Sequence, residues 1–102
     1  MLRISALNEL GIIRLKLEGK LAHEWVEEAR KAWGTLATVN GHKDAIVDLR
    51  GVSFVDGEGH QLLAEMRHAG AELIGSGPLI SALIDEIEDE EAVTSQDEPD
   101  GN

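Results

Sequence analysis

Cysteine and tyrosine are absent from this sequence, and aromatic residues make up only 3% of it. Without cysteine the chain can form neither a disulfide framework nor a thiolate zinc site, and it has no cysteine nucleophile. The 42% of hydrophobic residues suffice for one core, which must be built mainly from aliphatic side chains. We therefore expect a single small domain in a reducing, cytoplasmic environment.

The sequence also lacks a long apolar run and a balance of charge. No stretch approaches the roughly 20 apolar residues of a membrane span, and the first residues do not resemble a signal peptide, so we expect no membrane insertion. The net charge is −11, but nine acidic residues and no basic ones lie after Ile84. The other residues carry 11 acidic and 9 basic side chains. A nearly neutral body argues against a nucleic-acid partner.

The acidic C-terminal stretch differs in composition from everything before it. Low hydrophobicity and one sign of charge are typical of disordered segments. We therefore predict a folded domain over residues 1–87 and a disordered acidic tail over residues 88–102.

Apolar and polar residues alternate in the first part of the chain. Residues 2–7 and 13–17 have the period of two that is typical of half-buried strands, and residues 8–11 (NELG) between them suit a turn, which predicts a hairpin. From His23 to about Thr38 the period changes to that of an amphipathic helix. Trp33 belongs to its apolar side, whereas Trp25 lies on the flank and could contact a partner.

The second part of the chain predicts two further strands and two further helices. Residues 45–49 form a short apolar run that suits a central strand, and residues 50–55 follow as a loop. A helix is predicted over residues 56–70 and a strand over residues 71–75. The last helix begins at Pro78 and presents apolar side chains to the core. These side chains are Leu79, Ile80, Leu83, Ile84 and Ile87.

The predicted element order is ββαβαβα. Strands that alternate with helices imply right-handed crossovers and parallel strands. We therefore predict an α/β fold with a small mixed four-stranded sheet covered by helices.

One segment carries most of the functional information. Residues 45–63 read AIVDLRGVSFVDGEGHQLL. This segment resembles the hallmark of STAS domains, found in anti-sigma factor antagonists and in sulphate transporters, where Asp-Ser-Ser/Thr-Gly opens a helix after the central strand. The element order on both sides agrees, so the resemblance covers about residues 2–87. It implies a cytoplasmic regulatory module that binds a protein partner and is not an enzyme.

The sequence departs from the STAS pattern at the position used for signalling. Members of the sporulation and stress-response type carry a phosphorylatable Ser or Thr where Glu58 stands, and Gly57 replaces the preceding Ser. Glu58 is either a stand-in for phosphoserine, with one charge instead of up to two, or an acid stabilised by the helix dipole. Asp56 suits the N-cap of that helix. Gly57 and Gly59 are expected to allow positive φ or a close backbone approach.

The resemblance implies that the partner binds around the start of this helix. The predicted partner-binding residues are Ser53, Asp56, Gly57, Glu58, Gly59, His60 and Arg67. The leading hypothesis makes the partner an anti-sigma factor; the alternative is a small STAS subunit that regulates the ATPase of a lipid-transporting ABC system. The longest relatives have a further strand and helix that we expect to be missing here. Their loss would expose a sheet edge and favour a homodimer.

Catalytic and metal-binding interpretations have weaker support. None of the histidines has a second ligand at a spacing typical of zinc sites. Asp48, Asp56 and Glu58 could meet at the end of the central strand and hold Mg²⁺, but capping and the helix dipole already explain two of them. The segment GSG at residues 75–77 resembles a helix cap more than a nucleophile elbow. We therefore predict no catalytic residue, no metal and no cofactor.

Overall fold

An antiparallel hairpin opens the fold, as the alternating pattern predicts. Strand β1 (Leu2–Glu9) pairs with β2 (Ile12–Leu21) in a register that places Ile4 opposite Leu17. The computed structural model describes residues 2–9, 12–36 and 45–96. Residues 8 and 9, which were predicted to belong to the turn, are part of β1, and residues 10 and 11 lie outside the described residues.

Three helices and two strands follow the hairpin. They are α1 (Glu24–Thr35), β3 (Ile46–Val55), α2 (Gly57–His68), β4 (Glu72–Ile74) and α3 (Pro78–Gln96). The sheet order is β1-β2-β3-β4, in which β3 runs parallel to both β2 and β4. The predicted α/β class, the mixed four-stranded sheet and the order ββαβαβα are confirmed.

The helices pack on one face of the sheet. Because β2, β3 and β4 are adjacent and parallel, right-handed crossovers place α1 and α2 on the same side. Along β2, Ile13, Leu15 and Leu17 are buried, whereas Arg14 and Lys16 point to the opposite, open face. The core therefore lies between the sheet and a single layer of helices.

The two tryptophans of α1 pack as core or near-core residues. Trp33 is buried, as its position on the apolar side predicts. Trp25 is half-buried and packs partly against the core, and its contact with a partner stays a prediction. The helix ends at Thr35, before the predicted end near Thr38.

The prediction of a loop over residues 50–55 was wrong, because β3 continues to Val55. This part of β3 still pairs with β2, with Gly51 opposite Glu18 and Val55 opposite Leu21. Two register shifts interrupt the pairing, between Lys16 and Glu18 and between Gly19 and Lys20. Such irregularities break the period of two, so the residues no longer alternate as a strand should.

Helix α3 begins at Pro78 as predicted, but one of its side chains and its C-terminal end differ from the prediction. Ile80, Ile84 and Ile87 are buried, but Leu79 is 79% exposed and does not belong to the core. The predicted boundary of the tail at residue 88 falls inside this helix, which continues to Gln96. Residues 97–102 lie outside the described residues, and the division of the chain into a domain and a tail stays a prediction.

Candidate partner-binding site

The start of α2 is fixed by Asp56, which follows β3 directly. Asp56 has extended backbone angles (φ −91°, ψ −174°), and its Oδ1 accepts a hydrogen bond of 2.8 Å from the Gly59 N–H. This is the N-cap arrangement that the sequence predicts, and it satisfies one of the backbone donors that a helix leaves unpaired at its start.

The same carboxylate also holds the start of α1. The backbone N–H of His23 donates to Asp56 Oδ2 at 2.9 Å, across 33 positions of the chain. His23 has a positive φ of 56° and caps α1 without a side-chain hydrogen bond. Backbone hydrogen bonds from His23 and Gly59 lower the pKa of Asp56, so it is ionised at neutral pH. The two helix starts therefore share one carboxylate.

Gly59 is required by a close backbone approach, but Gly57 is not. A Cβ atom at Gly59 would lie 2.5 Å from the carbonyl oxygen of Leu21, which belongs to the end of β2. A Cβ atom at Gly57 would meet nothing within 4 Å, and neither glycine has a positive φ. The expectation for Gly59 is confirmed, and that for Gly57 was wrong.

Glu58 lies on the surface in the first turn of α2. Its side chain is exposed, and no ion pair joins it to another of the described residues. The helix dipole favours a carboxylate here by about 0.3 to 1 kcal/mol. The start of α2 thus combines a capping carboxylate, Asp56, with a solvent-accessible one, Glu58.

His60 and Arg67 face α3. His60 Nε2 lies 3.7 Å from Glu90 Oε1, and Arg67 Nε lies 4.0 Å from Glu88 Oε2. By helix geometry Arg67 is about 13 Å from Glu58 along the axis of α2. The site residues Asp56, Gly57, Glu58, Gly59 and His60 are therefore together, and Arg67 lies apart from them.

Ser53 is an exposed residue of β3, near the end of the strand. Its hydroxyl donates to the Gly19 carbonyl at 3.3 Å. Phe54 follows it and is 49% exposed, although no pattern in the sequence indicates this exposure. The contact of Asp56 with His23 was also missed, because no local pattern signals a bond to a distant backbone group.

Asp48 does not join the other two carboxylates. It lies near the start of β3, about 25 Å from Asp56 at the usual rise of a strand. Arg50 donates from Nε and Nη2 at 3.0 and 2.8 Å, and Arg14 Nη1 lies 3.7 Å away. The hydrogen bonds from Arg50 lower the pKa of Asp48 to about 2. The hypothesis of a shared Mg²⁺ site was therefore wrong, and the described residues contain no cluster suited to a metal ion.

Comparisons with known proteins bear on the fold. No protein-family model matches the sequence, and no curated protein sequence matches it. Among solved structures, an anti-sigma factor antagonist from Mycobacterium paratuberculosis superposes with a TM-score of 0.76 at 15% identity, over 90% of this chain and 82% of that one. The chain has the STAS fold.

Two other structures share parts of this arrangement. The anti-sigma factor antagonist SpoIIAA, in its unphosphorylated form, matches with a TM-score of 0.58 and 24% identity, over 81% of this chain and 80% of that one. Mglu matches with a TM-score of 0.56 and 22% identity, over 72% of this chain but 19% of its own length. At these identities the likeness concerns the STAS fold alone. Among the described helices, none has both the length and the apolar content of a membrane span.

Proposed function

We propose that this chain is a non-catalytic regulatory module of the anti-sigma factor antagonist type, which binds a protein partner through the start of α2. The observation that carries the proposal is the exposed carboxylate of Glu58, on a helix start that Asp56 and Gly59 fix against the sheet. Glu58 stands where STAS proteins of the sporulation type carry their phosphorylatable Ser or Thr.

Glu58 has no hydroxyl, so it cannot accept a phosphoryl group as Ser or Thr does. A carboxylate offers one charge and two acceptor oxygens in place of the two charges and three oxygens of phosphate. We infer that Glu58 keeps the module in one state of a switch that phosphorylation toggles in relatives. The plain alternative is that Glu58 only stabilises α2.

Two other carboxylates near the sheet, Asp48 and Asp56, are poorly suited to catalysis, which favours a binding role for the module. Both oxygens of Asp56 accept backbone N–H groups, and both oxygens of Asp48 accept hydrogen bonds from Arg50. Low pKa values and occupied acceptors make both groups poor proton acceptors at neutral pH. We therefore assign these two side chains to structure.

A second candidate is a small STAS subunit that regulates the ATPase of a lipid-transporting ABC system. The observation that favours it is also Glu58, because this class requires no phosphorylation of the start of α2. The two candidates place the same surface against different proteins, so the identity of the partner separates them.

The test is affinity purification of the tagged chain from its native cell, with bound proteins identified by mass spectrometry. We expect the wild-type chain to recover an anti-sigma factor, Glu58→Lys to recover less of it, and Glu58→Ser to differ from wild type. Glu28→Lys changes an exposed acid of α1 and is the matched control. Recovery of a transporter ATPase instead would establish the second candidate. Equal recovery by all four chains would refute a role for Glu58.

A further inference from the structure

An apolar groove lies between the end of β3 and the first half of α3. It has a volume of about 350 Å³, and its walls include Phe54, Leu79, Ala82, Leu83 and Glu86. Leu79 and Phe54 are 79% and 49% exposed, so two large apolar side chains face solvent at one place. Contiguous exposed apolar surface on a small domain is typical of interaction sites.

The groove is continuous with the candidate site. A second depression on the other side of Phe54 is lined by Lys20, Ala22, His23 and Ser53. The backbone N–H of His23 is bound by Asp56, the cap of α2. One surface therefore extends from Leu79 past Phe54 to His23, at the start of α1.

The charges around this surface differ at its two ends. Glu86 lines the groove on the α3 side, and Lys20 lines the depression on the β2 side. Helix α3 contains no basic residue and carries acidic residues from Asp85 onward. Helix α3 of a second copy has no basic residue to place against Glu86, whereas a partner segment with a basic side chain complements it.

We propose that an amphipathic α-helix of the protein partner docks in this groove, with aliphatic side chains on Phe54 and Leu79 and a basic side chain against Glu86. Helices bind such grooves through side chains spaced three or four positions apart. Leu79, Leu83 and Glu86 have that spacing along α3, so a docked helix can contact all three. This inference rests on the proposed function and names the chemistry of the partner.

The probe is a synthetic amphipathic helix of about 18 residues with a leucine stripe flanked by lysine, compared with the same peptide carrying glutamate in place of lysine. Binding to the full chain is measured by fluorescence anisotropy, and its location by NMR chemical shifts. We expect the lysine peptide to bind more tightly, with shifts at Phe54 and Leu79. Leu79→Ser should weaken binding about tenfold.

Two further variants distinguish binding in the groove from nonspecific hydrophobic binding of the peptide. Ile12→Ser removes another exposed apolar side chain, at the hairpin, and should leave binding unchanged. Glu86→Lys should reverse the preference between the two peptides. Equal effects of Leu79→Ser and Ile12→Ser, or concentration-dependent dimerisation that Leu79→Ser abolishes, would overturn the proposal.

The outcome is distinguishable from failure of the proposed function. Peptide binding uses no cellular partner and does not involve Glu58. If the peptide does not bind but affinity purification recovers a partner in a way that depends on Glu58, only the groove proposal is refuted. If the peptide binds at Leu79 but affinity purification recovers no regulatory partner, the proposed function is refuted. The groove then remains a helix-binding surface.

Discussion

Two aspartates near opposite ends of β3 are held by different means. Asp48 lies on the open face of the sheet, yet its side chain is only 2% exposed because two arginines cover it. Asp56 lies where the strand meets the helices, and backbone N–H groups from two helix starts bind it. In both cases hydrogen bonds to the ionised form lower the pKa.

The difference separates a structural position from the proposed binding position. The negative charge of Asp48 is compensated locally by Arg14 and Arg50, so its carboxylate is not available to a partner. At Asp56 the carboxylate orders the backbone, and the next acid, Glu58, is left exposed to solvent. An ion cluster around the buried carboxylate of Asp48 connects β2 and β3, whereas the capped start of α2 holds Glu58 at the surface.

The largest expected effect comes from breaking the Asp48 cluster. Asp48→Asn removes the charge that the two arginines share, and we expect a loss of about 2 to 3 kcal/mol in the free energy of unfolding. Arg14 and Arg50 are partly solvated, so the loss stays below that of a fully buried pair. Urea unfolding at pH 7 measures it, with Asp85→Asn, an exposed acid of α3, as the control. Equal stability of the two variants would contradict the structural role of Asp48.

The stability of the wild-type chain should also depend more strongly on acid pH than that of Asp48→Asn. The pKa of Asp48 is lowered from 3.8 to about 2, so its contribution is present above about pH 4 and is lost as the pH falls towards 2. That shift corresponds to about 2 kcal/mol. Between pH 5 and pH 2.5 the wild-type chain should therefore lose more stability than Asp48→Asn. Parallel curves from thermal or urea unfolding would exclude a depressed pKa.

At the other end of β3, a matched pair of glycines tests the close approach of α2 to β2. Gly59→Ala should cost about 1 to 2 kcal/mol, because the new Cβ meets the backbone carbonyl of Leu21. Gly57→Ala should be neutral or stabilise by several tenths of a kcal/mol, because alanine favours helix and the position is open. Differential scanning calorimetry compares the stability of the two variants. A larger loss for Gly57→Ala than for Gly59→Ala would contradict the close contact of Gly59 with Leu21.

The smallest of these effects is expected at Asp56. Asp56→Ala removes the N-cap and should destabilise the chain less than Gly59→Ala does. Asp56→Asn retains an oxygen that can accept from Gly59, so it should cost less. Hydrogen exchange should show faster exchange at the starts of both α1 and α2 in Asp56→Ala. Faster exchange at α2 alone would mean that the contact with His23 does not hold α1.

Local patterns in the sequence predict most of the fold. Alternation identified the hairpin, helical spacing identified α1 and α2, and Asp56 was recognisable as a cap because it is three residues from the N–H it binds. The sequence predicted a close backbone approach at Gly59, but it does not show that the neighbouring group is the carbonyl of Leu21.

Features that depend on tertiary register were not predictable in this way. The strand beyond Arg50 was missed because its register shifts against β2 disturb the alternation. The grouping of Asp48 with Asp56 was wrong because β3 continues to Val55 and separates the two side chains. Leu79 fits an apolar helix pattern, and only the packing of Ile80 and Ile84 shows that it points away from the core.

We expect the start of α2, and not the open face of the sheet, to contact the partner. Site-specific photo-crosslinking in the native cell tests it, with a photoreactive amino acid at Glu58 in one chain and at Lys16 in another. Both side chains are solvent-accessible, and Lys16 lies on the open face near Asp48. We predict a crosslink to a regulatory protein from position 58 and none to that protein from position 16. A crosslink from position 16 without one from position 58 would show that the partner binds the open face of the sheet instead.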